Sequence, residues 1–197
     1  MNNHRIEELV LQSLEHEMGG VKVYETAVKC ARNQDLRKEW KEYLEQTRTH
    51  VAALEAVCKA LRLDPKRETN GRKIVRHLGA ALVEAMKLAL SGDDADAAEL
   101  VASECVVLAE TKDHLDWTLI GKCAEHLEGA EAEALREAYD QIEDQEDEHL
   151  YHTKGWCREL WIASLGMNAV LPPIEERQKV KTAMGAARAE LASEKAR

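Results

Sequence analysis

Proline is nearly absent from this chain, and that scarcity limits the possible folds more than any other feature of the sequence. Of the three prolines among 197 residues, Pro65 stands alone and Pro172 and Pro173 are adjacent. Residues that favour helices, mainly Ala, Glu, Leu, Lys and Arg, fill the long stretches between them. Phe is absent and aromatic residues make up only 4% of the chain, so the core is expected to consist of Leu, Ala, Val and Ile. These features predict an all-α fold.

Apolar spacing and chain breakers divide the sequence into helical segments. The predicted helices span residues 4–32, 35–63, 71–90, 95–127 and 130–165, with a further C-terminal helix after Pro172 and Pro173. Asp35 is the expected N-cap of the second helix, and the Asp64-Pro65 pair is its expected stop.

Two predicted hairpins, at residues 4–63 and 95–165, are separated by a connection of about 30 residues that contains the helix at 71–90. This order is typical of a four-helix bundle with a long crossover. We therefore predict one bundle domain over residues 1–166 and a helical extension over residues 167–197.

The formal net charge of −10 argues against a nucleic acid or an anionic membrane as partner, because either would favour a basic surface. No stretch approaches the roughly 18 apolar residues of a membrane span, and the N-terminus does not have the pattern of a signal peptide. The sequence therefore predicts a soluble, cytoplasmic protein. Its five cysteines form no C-x-x-C motif, and we expect them to be buried, reduced thiols.

The two predicted hairpins share a weak internal repeat. Residues 17–31 can be placed on residues 110–124, and residues 36–63 on residues 135–162. The matched pairs include Glu17 with Glu110, Tyr24 with Trp117, Cys30 with Cys123, Gln46 with Gln145, His50 with His149, and Cys58 with Cys157. Because one Glu, one His and two Cys recur in the same order, we interpret the repeat as a duplicated helical hairpin.

This repeat resembles the ferritin-like superfamily of di-iron and di-manganese carboxylate proteins, which includes rubrerythrins and bacterioferritins. Members use a lone Glu from each of two helices and Glu-x-x-His from each of the other two. The resemblance implies the metal ligands Glu17, His50, Glu110, Glu146 and His149. It also implies one or two iron or manganese ions per chain, used for redox chemistry with dioxygen or peroxide, or for iron handling.

Distance from the predicted turns gives a geometric check on these ligands. Side chains on antiparallel helices can meet only at equal height above the turn, at about 1.5 Å per residue. Glu17 and His50 are almost equally far along the chain from a turn near position 33, one before it and one after it. Glu110 and His149 are likewise almost equally far from a turn near position 129. Glu104 would lie roughly 9 Å from this level, so Glu110 is the preferred acid.

Thr47 departs from the pattern, because it stands where the resemblance predicts a second Glu. A hydroxyl is a poor ligand for iron, which leaves open an asymmetric dinuclear centre, a mononuclear centre, or a remnant without metal. The alternative function is a structural, interaction or stress-related helical protein that keeps the bundle and holds no metal. The oligomeric state is also open, with a homodimer as one alternative.

Several candidate residues have simpler interpretations. His50 is alternatively a core histidine bonded to Thr47 or Tyr43, and the three acids and His149 are alternatively exposed surface residues. Packing is the simplest role for Tyr24 and Trp117, with a hydrogen bond to a ligand carboxylate as the alternative. Surface positions are expected for His114, His126 and His152, with a role as an extra ligand or beside a ligand as the alternative for His114 and His152. Glu25 and Glu55 are weaker ligand candidates.

Overall fold

The computed structural model describes residues 3–168, and within them it contains five α-helices and no β-strand. The helices are α1 (Asn3–Cys30), α2 (Gln34–Ala60), α3 (Asn70–Leu90), α4 (Ala95–His126) and α5 (Ala130–Ser164). The all-α prediction is confirmed, and each of the first five predicted helices is present with ends shifted by at most a few residues. The predicted helix after Pro172 and Pro173 lies outside the described residues.

The start of α2 differs from the prediction, because Asn33 and not Asp35 is its N-cap. The Asn33 side-chain oxygen accepts hydrogen bonds from the amides of Asp35 and Leu36, at 2.9 and 3.3 Å. Asp35 lies in the first turn instead, where its negative charge interacts favourably with the positive end of the helix dipole and stabilises the helix. The end of α2 is also earlier than predicted, because Arg62 adopts a left-handed backbone conformation with φ of 55°.

The helices α1, α2, α4 and α5 form a bundle in which α1 contacts α2 and α4, and α5 contacts α2 and α4. Helix α3 lies outside this group, against α1 and α4. Arg72 of α3 anchors it, because its Nε and Nη2 donate to Glu15 Oε2 of α1 at 3.0 and 2.7 Å in a buried ion pair. None of the described helices is long and apolar enough to cross a membrane.

Two apolar clusters divide the interior of the bundle. One cluster includes Tyr24, Trp40 and Val106, and the other includes Leu14, Leu54 and Ile120. Along each of the four helices, the residues of one cluster are followed by those of the other. Every helix therefore has a short segment between the clusters at the same level of the bundle, and it is there that the predicted ligands lie.

The five cysteines are all free, as predicted. Cys30, Cys58 and Cys105 are buried, whereas Cys123 and Cys157 are half-buried. Burial raises the pKa of each thiol, so all five are protonated and weakly reactive at neutral pH.

Candidate metal centre

The five residues proposed as ligands lie together in the interior of the bundle. Their exposed fractions are 0% for Glu17 and His50, 1% for Glu146 and His149, and 3% for Glu110. His50 Nδ1 lies 3.0 Å from Glu146 Oε1 and 3.3 Å from Glu17 Oε1. His149 Nδ1 lies 3.5 Å from Glu110 Oε2 and 3.6 Å from Glu146 Oε1. The interpretation of these residues as exposed surface is therefore wrong.

Asp113 is a sixth member of this cluster, and sequence analysis did not identify it. It is 4% exposed and follows Glu110 by three residues on α4, so both side chains project from one helix face. Two groups of three possible ligands lie within 4.8 Å of one another. The groups are His50, Glu146 and His149, and Glu17, Asp113 and Glu146. Glu146 belongs to both.

Several carboxylate oxygens of this cluster accept no hydrogen bond. Acceptor atoms without a hydrogen bond are Glu17 Oε2, Glu110 Oε2, Asp113 Oδ1 and Glu146 Oε2, whereas Glu146 Oε1 faces His50 Nδ1 at 3.0 Å. Burial raises the pKa of Glu110 to about 8 and that of Glu146 to about 7, and nearby carboxylates add to both shifts. The pKa of Asp113 is raised well above its ordinary value for the same reasons. Such a group of buried acids is costly unless protons or a cation neutralise it.

Each histidine is held by a glutamine from the opposite hairpin. His50 Nε2 lies 2.9 Å from Gln145 Oε1, and His149 Nε2 lies 2.7 Å from Gln46 Oε1. Because an amide oxygen only accepts, each Nε2 carries the hydrogen, and each Nδ1 faces the carboxylates. A neutral histidine in this tautomer offers its Nδ1 lone pair to a metal ion. The expected bond from His50 to Thr47 or Tyr43 is absent among the described contacts.

The two histidines differ in charge when no metal is bound. Burial lowers the pKa of His50, but the facing carboxylates of Glu146 and Glu17 outweigh it and raise the pKa to about 11. Burial dominates at His149 and lowers its pKa to about 4. At neutral pH the metal-free centre therefore contains an imidazolium at His50 and a neutral imidazole at His149. A metal ion would have to displace the proton of His50 Nδ1.

Aromatic residues of each hairpin face an acid of the other hairpin. Trp117 Nε1 donates to Glu17 Oε1 at 2.7 Å, so the alternative of a hydrogen bond to one of these carboxylates is confirmed for Trp117. Tyr24 is fully buried, and burial together with the charge of Glu110 raises its pKa. The Trp117 hydrogen bond fixes Glu17 from outside the cluster.

Thr47 is buried next to the cluster but is directed away from it. Its hydroxyl donates to the backbone oxygen of Tyr43, one turn back on α2, at 2.8 Å. Its methyl carbon is close to Gly20 of α1, because a Cβ added there would lie 3.3 Å from Thr47 Cγ2. At the position where the resemblance predicts a carboxylate, the small residue Thr47 lies close to Gly20 instead.

The remaining candidates lie outside the cluster. Glu25 and Glu55 are exposed, and Glu104 is half-buried and accepts from Trp161 Nε1 at 3.0 Å. His126 is exposed, as predicted. The surface prediction is wrong for His152, whose side chain is 10% exposed and whose Nδ1 lies 2.7 Å from the Tyr43 hydroxyl.

A cavity of about 180 Å³ lies between α4 and α5 and reaches the shared acid Glu146. Its other lining residues include His114, Tyr139, Glu143 and Asp147. His114 is half-buried, and its Nε2 lies 2.9 Å from Asp147 Oδ1.

Comparison with known proteins found no match for the chain. No protein-family model, no curated protein and no solved structure matches it. The case for a function therefore depends on the geometry of the cluster.

Proposed function

We propose that this protein is a metal-binding bundle of the ferritin-like type, whose buried carboxylates and histidines hold one or two iron or manganese ions. One observation carries the proposal. Residues selected from a two-fold sequence repeat, on four different helices, meet in the interior and leave carboxylate oxygens without hydrogen bonds. Buried acids in this arrangement are stabilised by a cation that they share.

The ligand types suit the proposed metals. Carboxylate oxygens with a few imidazole nitrogens are common ligands of iron and manganese. Such an ion would supply redox chemistry toward dioxygen or peroxide, or the centre would serve in iron handling. The chain itself supplies two oriented imidazoles, the acids, and an interior closed on both sides by apolar clusters.

A second candidate function is a helical interaction protein that keeps this interior without metal. The ion pairs from His50 to Glu17 and Glu146 favour it, because they neutralise part of the buried charge. The raised pKa of Glu110 and of Asp113 also allows these acids to bind protons instead of a cation.

Metal content distinguishes the two functions. Protein produced in medium with iron and manganese should contain about one or two ions per chain by elemental analysis, and His149→Ala should lower that content. His126→Ala is the matched control, because His126 is an exposed histidine outside the cluster. A content below about 0.2 ions per chain, unchanged by His149→Ala, would contradict the metal-binding function.

A further inference from the structure

We propose that Asp113 supplies the carboxylate that Thr47 lacks, and that the centre has two chemically unlike metal positions that share Glu146. The nitrogen-containing position consists of His50, His149 and Glu146, together with Glu110, whose Oε2 lies 3.5 Å from His149 Nδ1. The oxygen-only position consists of Glu17, Asp113 and Glu146. This inference rests on the proposed metal-binding function and specifies it further.

Asp113 differs from the other buried aspartate of α4 in a way that indicates a ligand. Asp116 is equally buried, at 5% exposed, but Lys112 Nζ donates to its Oδ2 at 2.5 Å. Asp113 is 4% exposed, and its Oδ1 accepts no hydrogen bond. One of its carboxylate oxygens lies within 4.8 Å of a carboxylate oxygen of Glu17 and of one of Glu146. A buried acid surrounded by acids is stabilised by a cation at their centre.

With Asp113 included, the number of ligands matches that of a complete dinuclear carboxylate centre. Such centres use four carboxylates and two histidines. The carboxylates here are Glu17, Glu110, Asp113 and Glu146, and the histidines are His50 and His149. The missing acid of α2 is therefore replaced by a second acid on α4.

The internal repeat shows how the replacement occurs. The alignment that pairs Glu17 with Glu110 also pairs Gly20 with Asp113. In the first hairpin, Gly20 and Thr47 pack against each other at 3.3 Å, measured to a Cβ added at Gly20. In the second hairpin, Asp113 and Glu146 are both directed into the cluster. The hairpin without the acid has also lost the space for one.

The two positions should select different metals because their ligand atoms differ. Two imidazoles favour iron, cobalt or zinc, whereas carboxylates alone suit manganese or magnesium. Zinc should therefore compete more strongly with manganese at the nitrogen-containing position than at the oxygen-only position. The shared Glu146 would bridge the two ions.

Displacement of manganese by zinc tests this inference. The metal-free protein is loaded with Mn²⁺, titrated with Zn²⁺, and followed by the electron paramagnetic resonance of released Mn²⁺ and by elemental analysis. Wild type should bind about two Mn²⁺ per chain and release them in two steps. Asp113→Asn should lose about one ion and the step at higher zinc concentration, and His149→Gln should lose the step at lower concentration. Asp116→Asn is the matched control and should keep both steps.

The possible outcomes separate this inference from the proposed function. If wild type binds no Mn²⁺ or Zn²⁺, the metal-binding function fails and the inference fails with it. If wild type binds metal but Asp113→Asn keeps the full capacity, or loses all of it, only the inference is overturned. A wild-type capacity of about one ion per chain would overturn it as well. Thermal melting checks that the fold is kept, because Asp113→Asn replaces a buried carboxyl group with a neutral amide of similar size and should leave the metal-free protein about as stable.

Discussion

The hairpin formed by α1 and α2 and the hairpin formed by α4 and α5 contribute unequally to one centre. Both supply a lone acid and a histidine, Glu17 and His50 in the first and Glu110 and His149 in the second. At the two other matched positions, the first hairpin has the packed pair Gly20 and Thr47. The second hairpin has two acids there, so it carries three of the four carboxylates of the cluster.

Under the proposed metal-binding function, the six ligands are distributed unequally between the two hairpins. What remains symmetric is the support of the histidines, because each is bonded to a glutamine of the opposite hairpin. The variants below test the asymmetric positions and the symmetric ones separately.

The largest effect is expected at the matched positions Glu146 and Thr47. Glu146→Gln should abolish the binding of both ions, because Glu146 belongs to both groups of ligands. Thr47→Val should leave metal content nearly unchanged, because the Thr47 hydroxyl is bonded to the backbone of its own helix. Elemental analysis and calorimetric titration with Mn²⁺ measure both effects. Equal losses in the two variants would show that the hairpins are not specialised in this way.

Replacement of Gln46 or Gln145 should weaken metal binding less than Glu146→Gln does, and by the same factor in both cases. Gln46→Leu and Gln145→Leu should each weaken metal affinity by about 10–100-fold, because the partner histidine loses the acceptor that fixes its tautomer. Gln46→Glu keeps an acceptor and should retain the affinity more fully. Long-range ¹H–¹⁵N spectra of the metal-free protein should show His149 protonated at Nε2, and Gln46→Leu should remove this preference. Gln12→Leu, at another half-buried, hydrogen-bonded glutamine, is the control.

A moderate effect is expected from pH on the metal-free protein. In the folded state the pKa values of Glu146 and Glu110 are raised to about 7 and about 8, from unfolded values near 4.5. Above pH 4.5 these two acids therefore bind more protons in the folded state than in the unfolded state. Stability should therefore fall as pH rises from about 4.5 to about 8. His50, whose pKa is raised from 6.5 to about 11, adds to the fall above about pH 6.5. His149, whose pKa is lowered to about 4, opposes the fall only below pH 6.5.

Thermal melting with and without Mn²⁺ measures the pH effect. Bound metal should remove most of the fall, because it neutralises the acids that otherwise need protons. Glu110→Gln should flatten the metal-free profile as well. A metal-free protein whose stability rises steadily between about pH 5 and about pH 8 would contradict the raised pKa values of these acids.

The smallest effect is expected from the packed pair of the first hairpin. Gly20→Ala gains helix propensity of about 1 kcal/mol but brings its Cβ close to Thr47 Cγ2, so the net change in the free energy of unfolding should be small. Thr47→Ser removes that methyl group. In the Thr47→Ser background, Gly20→Ala should therefore raise the free energy of unfolding by up to about 1 kcal/mol. Urea unfolding of the two single variants and the double variant gives the coupling energy. Simple additivity would show that the contact does not restrict this site.

The helices and the five proposed ligands could be predicted from the sequence because both depend on spacing along single helices. Apolar period and breakers locate the helices, and equal height above the turns brings the acids and histidines to one level. The N-cap of α2 was harder to predict, because Asn33 and Asp35 are both good capping residues and lie two positions apart.

Asp113 was missed because the repeat pairs it with Gly20, and a search for matches treats such a pair as noise. The Glu-x-x-Asp spacing with Glu110 was the available signal, but acidic helices contain that spacing often. The hydrogen bonds between Gln46 and His149 and between Gln145 and His50 depend on how α2 and α5 are rotated relative to each other, which the sequence pattern does not give. His152 was assigned to the surface for a related reason, because its contact with Tyr43 also lies between these two helices.

The crossed pairs of Gln46 with His149 and Gln145 with His50 also have a bearing on the origin of the chain. Gln46 of the first hairpin contacts His149 of the second, and the matched residues Gln145 and His50 make the same contact in the opposite direction. This reciprocal pattern is that of an isologous interface between identical subunits. A lone hairpin with one glutamine and one histidine would have completed both hydrogen bonds by pairing with its own copy. Fusion of two copies would then have freed each half to vary, so that an acid could be present at Asp113 in one half and absent at Thr47 in the other.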